Sequence, residues 1–395
     1  MRNDYTGFIG VQITTGTKYL SVSSLGRFVL SGNTQAHLVK IVDASTGLDV
    51  GSVTINTSGA PAGKFAYAAL SSPVALVPGI RYYIVSQETS GGDSWYDSNT
   101  TVTTTLDASA IGWVSGGLTT PSENWSLGTT ANQEFGPVDF LYSYRPQPTL
   151  LTGFTPITDP SQITGPGNYQ LVNDVSIIQI DTSNVVVDGG GFQATNLLVV
   201  GSGADTITNV TIRNLRSRGA VLFGDSNATR NGTPAITLTN STITSSSGAY
   251  VAQLYGNNIV ISNCIVVGTV SGTDDGMILG SYTNSSPNQF VTISNNIFTR
   301  CYDAGIEGLG AGWQNITFTG NTFRNSPICI GMWYSLGFGT TVAPTNCVFK
   351  NNAADATVGR LFQFRNGGLL STANDDATAN SNWPGNTFSG NTHTT

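Results

Sequence analysis

A short pattern, apolar-x-apolar-x-Asn, recurs through the second half of the chain. VTIRN ends at Asn214, ITLTN at Asn240, IVISN at Asn263 and VTISN at Asn295, and ITFTG ending at Gly320 and CVFKN ending at Asn351 continue the series. The steps between these ends are 26, 23, 32, 25 and 31 residues. Regular alternation inside each unit belongs to a strand, not a helix. A unit of this length made of strands and polar turns cannot bury its apolar side alone, so the units must stack as the coils of a parallel β-helix. Stacked coils lie about 4.8 Å apart. The recurring Asn residues then fall into one turn, where their amides are expected to hydrogen-bond from coil to coil. Such a ladder is structural, and it turns Asn-x-Ser/Thr matches such as Asn240-Ser241-Thr242 into turn chemistry rather than glycosylation signals.

The first part of the chain has a different grammar. Phe8–Ile13, Arg27–Leu30, His37–Val42 and Arg81–Val85 read as short alternating strands, with turn signals such as Ser31-Gly32-Asn33 and Ser45-Thr46-Gly47 between them. This is the spacing of a β-sandwich. Pro146-Gln147-Pro148 follows as a stiff linker. The expected architecture is all-β: a sandwich module over 1–145, a linker over 146–149 and a right-handed parallel β-helix over 150–395.

Composition narrows the function classes. Charged residues are only 10% of the chain while hydrophobic residues reach 39%, which argues against disorder. The formal charge is -7 and the 16 Lys and Arg are scattered, so no basic stripe exists for nucleic acid. No apolar run approaches the roughly 18 residues of a membrane-spanning helix. Met1-Arg2-Asn3-Asp4 opens no apolar signal segment, so an extracellular or cell-surface location rests on composition and on the resemblance given next. Cys264, Cys301, Cys329 and Cys347 are spaced by 37, 28 and 18 residues with no CxxC, so no metal site and no disulfide is expected; they fall in different columns of the repeat.

The stretch GPGNYQLVNDV…SNVVVDGGGFQATN, from Gly165 to Asn196, resembles the opening coil of the NosD-like, carbohydrate-binding and sugar-hydrolase type of right-handed β-helix, and NVTIRNL from Asn209 to Leu215 continues the match. The resemblance spans about residues 150 to 395. It implies the fold, and an activity on glycans only as one use among several, since the same stack serves lyases, hydrolases, surface proteins and tailspikes. Residues 1–145, through LGRFVLSGNTQAH, SSPVALVPGIRYYIVSQ and GGDSWYD, look like a secreted bacterial accessory module, which implies attachment or spacing.

Aligning neighbouring coils sets TDDGMILG, from Thr273, over YDAGIEGLG, from Tyr302. Asp274 then stacks on Asp303, Gly276 on Gly305 and Met277 on Ile306, once a three-residue bulge is allowed. Met277 and Ile306 are expected inside, and Ile278 and Glu307 outside. Asp274, Asp275, Asp303 and Glu307 would crowd one outer patch, where like charges raise at least one pKa, as a general acid at neutral pH requires. Paired carboxylates flanking a sugar bond are the equipment of glycosidases. The plain alternative is that these acids cap turns. Tyr250, Tyr302, Trp313, Trp333 and Tyr334 are candidate sugar-stacking rings, or else rings that fill strand ends. In the first module, Trp95-Tyr96 beside Asp93 and Asp97 is the most site-like cluster, or plugs the sandwich end.

The acids are loosely similar to those of polygalacturonases, but the Gly-His-Gly of that family is absent, because His37 and His393 are the only histidines. A lyase would need a Lys or Arg base near calcium-binding acids; Lys350 is the only lysine after residue 150, and Arg300 and Arg324 could serve, though nothing singles them out. A glycoside hydrolase is therefore favoured over a polysaccharide lyase, with a polysaccharide or cell-surface glycan as partner and no cofactor. The competing expectation is a non-catalytic surface, fibre or tailspike-like protein, a homo-oligomer if a long apolar stripe is buried between subunits.

Overall fold

A computed structural model describes residues 1–97, 100, 102–118, 124–128, 134–145, 149–159, 163–200, 207–224, 235–244, 250–268, 275–280, 288–309, 312–332, 344–355, 357–366 and 369–394. The linker expected at 146–149 thus lies, apart from Thr149, outside the described residues. The chain forms two compact units, Met1–Gln147 and Pro148–Thr395.

Among the described residues the first unit is an antiparallel β-sandwich of nine strands: β1 (Gly7–Thr15), β2 (Leu20–Val29), β3 (Ala36–Asp43), β4 (Leu48–Asn56), β5 (Lys64–Leu76), β6 (Arg81–Glu88), β7 (Ala108–Gly116), β8 (Ser126–Leu127) and β9 (Val138–Tyr144). A six-stranded sheet runs β4-β3-β6-β1-β7-β8 and a three-stranded sheet β5-β2-β9. Period-two alternation directs Leu20 and Val22 of the small sheet and Val11, Ile13, Val39, Ile41 and Ile84 of the large one into a shared core, and a bulge between Val22 and Ser24 brings Leu25 to the same side.

Buried in this unit is a charged network. The Arg27 guanidinium donates to both Glu88 oxygens, at 2.9 and 3.0 Å. His37 faces the Gln87 carbonyl (2.8 Å) and Glu88 Oε2 (3.3 Å) through Nδ1, and Asp93 Oδ2 (3.0 Å) through Nε2. Asp93 also accepts from the Thr34 and Gln35 backbone N–H groups and the Thr57 hydroxyl. None of the four charged side chains is more than 3% exposed. Burial works against the His37 imidazolium, but the Glu88 and Asp93 carboxylates outweigh it and hold its pKa above the ordinary value. Burial alone would likewise raise both acids, yet His37 with Arg27 lowers Glu88, and His37 with the surrounding donors lowers Asp93 to about 2.

The second unit is a right-handed parallel β-helix. The repeated segments build a ten-stranded parallel sheet that steps through Thr155–Ile157, Gly167–Leu171, Val185–Asp188, Val210–Arg213, Ile236–Thr239, Ile259–Ser262, Thr292–Ser294, Thr317–Thr319, Val348–Lys350 and Thr387–Ser389. A second sheet supplies the other wall and is parallel except for the pair Arg360–Asn366 and Leu369–Ala373. Strict register stacks like on like. One inward column reads Val187, Ile212, Leu238, Ile261, Ile293, Phe318, Phe349, Phe388. Its last three rings stack face to face at 5.0 and 4.5 Å between centroids.

Asn214, Asn240, Asn263 and Asn295 do occupy one column, each following paired strand ends and each in the left-handed region at φ 50 to 55°. Asn tolerates that conformation better than other side chains, and Gly320 (φ 65°) takes the same place one coil on. The amide-to-amide ladder, however, runs through the next residue. Asn296 Nδ2 donates to Asn321 Oδ1 (3.0 Å), Asn321 to Asn352 (2.9 Å) and Asn352 to Asn391 (2.9 Å), and Asp376 accepts from the last. The physical reason is direction: this residue faces the interior, where an amide without a partner is costly, while the preceding Asn sits on the turn and serves its backbone geometry.

Candidate functional site

The coil pairing read from the sequence is present: Met277 lies opposite Ile306 and Ile278 opposite Glu307, between the strands Asp275–Leu279 and Ala304–Gly308. Two glycines allow it. A Cβ on Gly276 would fall 2.2 Å from the Gly305 carbonyl oxygen and 2.9 Å from Cys301 Sγ, so only glycine admits this approach of the two coils.

Asp275 opens its strand half-buried, and its Oδ1 accepts the Ala304 backbone N–H at 3.2 Å. Its side chain is hydrogen-bonded to that of Glu307, which lies in the adjacent coil. Burial, the bond to Asp275 and the charges of Asp275 and Asp303 push the Glu307 carboxyl far above the ordinary carboxylate range. Burial raises Asp275 too, with Asp303 adding to the rise, while the bond from Glu307 and the Ala304 N–H oppose it. That bond raises Glu307 and lowers Asp275, so the proton resides on Glu307. Glu307 is thus the carboxyl of the pair whose protonated form is favoured, with half-buried Asp303 alongside.

One expectation is corrected here. Glu307 is 3% exposed and does not sit on an open outer patch; Gln253, Ile278 and Gln363 in the same row are also buried, so the whole row is covered.

Tyr250 pairs with Asp275 across the preceding coil and is half-buried, and Tyr302 is 48% exposed next to Asp303. Trp313 is a further correction. It is fully buried and packs on Phe318 (5.0 Å) and Phe364 (5.9 Å), so it is core and cannot stack on a sugar. Asp274, Trp333 and Tyr334 lie outside the described residues. Among the described residues no group of three or more His, Cys, Asp or Glu could hold a metal ion, and no helix is long and apolar enough to cross a membrane. All four cysteines are buried free thiols.

In the first unit, Trp95 is 1% exposed and Asp93 is held by His37 and Thr57, so both are structural; Tyr96, 39% exposed, is the part of that cluster that faces solvent. The buried network went unread, although alternation carries its signal: Arg27 shares its side of β2 with Leu25 and Val29, and Glu88 shares its side of β6 with Tyr82 and Ile84.

Fold and register define a β-solenoid protein in which carboxyls of two adjacent coils are set against each other. The chain belongs to the family described as right handed beta helix region, whose family model matches residues 195–394. Among solved structures it is similar to the Agl-KA catalytic domain, at 12% identity and TM-score 0.34 over 92% of this chain and 78% of that one. It is also similar to the catalytic domain of a GH87 alpha-1,3-glucanase in complex with nigerose, at 12% identity and TM-score 0.27 over 98% and 91%. At these scores neither likeness bears on what this chain does. No curated protein matches it.

Proposed function

We propose that the β-helix unit processes carbohydrate, as a glycoside hydrolase acting on a polymeric glycan. The observation that carries this reading is the proton-holding pair Asp275–Glu307 beside Asp303, in a chain where only 10% of residues are charged. Glycoside hydrolysis needs a carboxyl that is still protonated at neutral pH and a second, ionised carboxylate. Glu307 stores the proton, and Asp275, the half-exposed member, passes it to the glycosidic oxygen. Asp303 serves as the second carboxylate, base or nucleophile; Asp274 is the alternative for that part. Tyr250 and Tyr302 supply ring faces for the sugar, with Trp333 and Tyr334 as further candidates. No cofactor is called for. An extracellular or cell-surface location, the NosD-like affinity of the helix and an accessory role for the secreted-type first module belong to the same reading.

The burial of Glu307 favours a second reading, in which the pair is a structural proton-sharing bond inside a non-catalytic surface or fibre scaffold. Purified protein screened against polysaccharides for reducing ends and unsaturated products separates the two. Under the enzymatic reading a glycan is cleaved without unsaturated products, and Asp275→Asn, Asp303→Asn or Glu307→Gln lowers the rate at least 100-fold, about 2.7 kcal/mol of barrier. No cleavage of any glycan leaves the scaffold.

A further inference from the structure

The outer face of the small sheet in the first unit carries a continuous strip of aromatic rings. Leu25, Arg27 and Val29 of β2 point into the core, so Gly26 and Phe28 point out; Ala66 and Ala68 of β5 pack on the core, so Phe65 and Tyr67 point out. Phe28 pairs with Phe65 and Gly26 with Tyr67 across the two strands. Ring centroids step 5.5 Å from Tyr96 to Phe28, 5.1 Å on to Phe65 and 6.0 Å on to Tyr67. Tyr67 and Tyr96, at the two ends, are 40% and 39% exposed.

The Tyr67 end is built rather than incidental. Its ring lies so close over Gly26 that a Cβ there would fall 2.6 Å from the ring, and its hydroxyl donates to Asp139 Oδ2 at 2.5 Å. The ring is therefore laid on the backbone and tethered, with one face turned to solvent, before any ligand arrives.

We infer that this strip is a binding site for an uncharged polysaccharide, whose pyranose rings stack on Tyr96, Phe28, Phe65 and Tyr67. A pyranose offers an apolar C–H face rimmed by hydroxyls, which suits rings with a polar acceptor at the edge, here Asp139. The path crosses from Phe28 to Phe65 on the neighbouring strand and then turns along β5 to Tyr67, with successive rings inclined at 46, 77 and 39°, so it offers a twisted series of ring faces at steps comparable to the length of one sugar unit. At these exposures the four side chains present on the order of 300 Å², against about 800 Å² per partner in a stable protein interface. A linear chain fits that footprint and a protein surface does not. The formal charge of -7 and the carboxylate at the strip's edge disfavour an anionic lipid surface.

The test is retention of the full chain by neutral polysaccharides, soluble ones in affinity electrophoresis and insoluble ones by sedimentation. It is run also in a Glu307→Gln background, so that no glycan is consumed and loss of catalysis stays separate from loss of binding. We expect at least one glycan to retain the protein, and Tyr67→Ala and Tyr96→Ala each to weaken retention at least 10-fold with an unchanged melting temperature. Tyr67→Phe, which keeps the ring and removes the tether, should lose less. Retention by no glycan, or full retention of both alanine variants, would overturn the assignment.

Discussion

His37 can bond as it does only as an imidazolium. Both ring nitrogens face acceptors, the Gln87 carbonyl and Glu88 on one side and Asp93 on the other, and a neutral imidazole has one donor. The groups around it close the charge balance: Arg27 from β2 and His37 from β3 against Glu88 from β6 and Asp93 from the segment after it. His37→Ala removes one cation and leaves Asp93 buried on neutral donors alone, which should cost about 3 to 5 kcal/mol. Because the folded pKa of His37 is raised, its contribution is complete below the unfolded value of about 6.5 and is lost as pH rises through the folded value. Glu88 and Asp93 are lowered, so theirs is complete above about pH 4.5 and lost below it, Asp93 alone accounting for about 2 kcal/mol as pH falls towards 2. The first unit should therefore be most stable between roughly pH 4.5 and 6.5. Hydrogen exchange of peptides from β3 and β6 in a urea series reports on this unit alone. Wild type should open at lower urea at about pH 8 than at about pH 5.5, and His37→Ala should open early at both. Equal midpoints for wild type at the two pH values would show that His37 is not a buried cation.

Other outcomes follow from the second unit. Asn321→Leu strips partners from the Asn296 amide, the Ile293 carbonyl and Asn352 Oδ1, and should destabilise the helix by about 3 to 5 kcal/mol in a urea series. Asn351→Ala, on the exposed turn column, should cost only about 1 to 2 kcal/mol. The four thiols should resist alkylation in the native protein, burial having pushed Cys264 and Cys347 up to about 11, and all four should react once the chain is unfolded. Any glycan-cleaving activity should fall as pH rises through about 9, where Glu307 gives up its proton; a rate that keeps climbing past that pH would rule the pair out as the acid.

How far the sequence reaches depends on whether a residue's environment is set locally or by its neighbours in the stack. VTIRN, ITLTN, IVISN and VTISN carry strand, turn and register together, because alternation and the left-handed Asn are local properties. The Asn296 ladder was missed by one residue: two adjacent Asn in VTISNN offer the same chemistry, and only the direction of the second into the core decides between them. Trp313 was misread for a related reason. Its indole is inside because Gly308 of the same coil leaves room for it, a contact that the ring spacing along the chain does not encode. Likewise the alignment of Met277 with Ile306 and of Ile278 with Glu307 is legible from coil pairing, but the burial of Glu307 is not, since exposure belongs to whatever covers the row.

Stacking like on like has a different consequence for each side chain, and the acids are where it becomes expensive. Phe318, Phe349 and Phe388 gain from it, since offset faces attract. Asn296, Asn321, Asn352 and Asn391 gain from it as well, because an amide is donor and acceptor at once and each can pass a bond to the next. Carboxylates have no such self-complementarity. Asp275 and Glu307, on neighbouring coils with Asp303 beside them, can approach only by holding a proton that water would take from an ordinary carboxyl at neutral pH. Asn or Gln at either position would make the same contact without that cost, and this chain uses Asn freely at equivalent contacts elsewhere. Among the described residues the solenoid meets many of its stacking contacts with self-complementary amides and rings, and here it sets carboxyl against carboxyl instead; such departures are where function is expected.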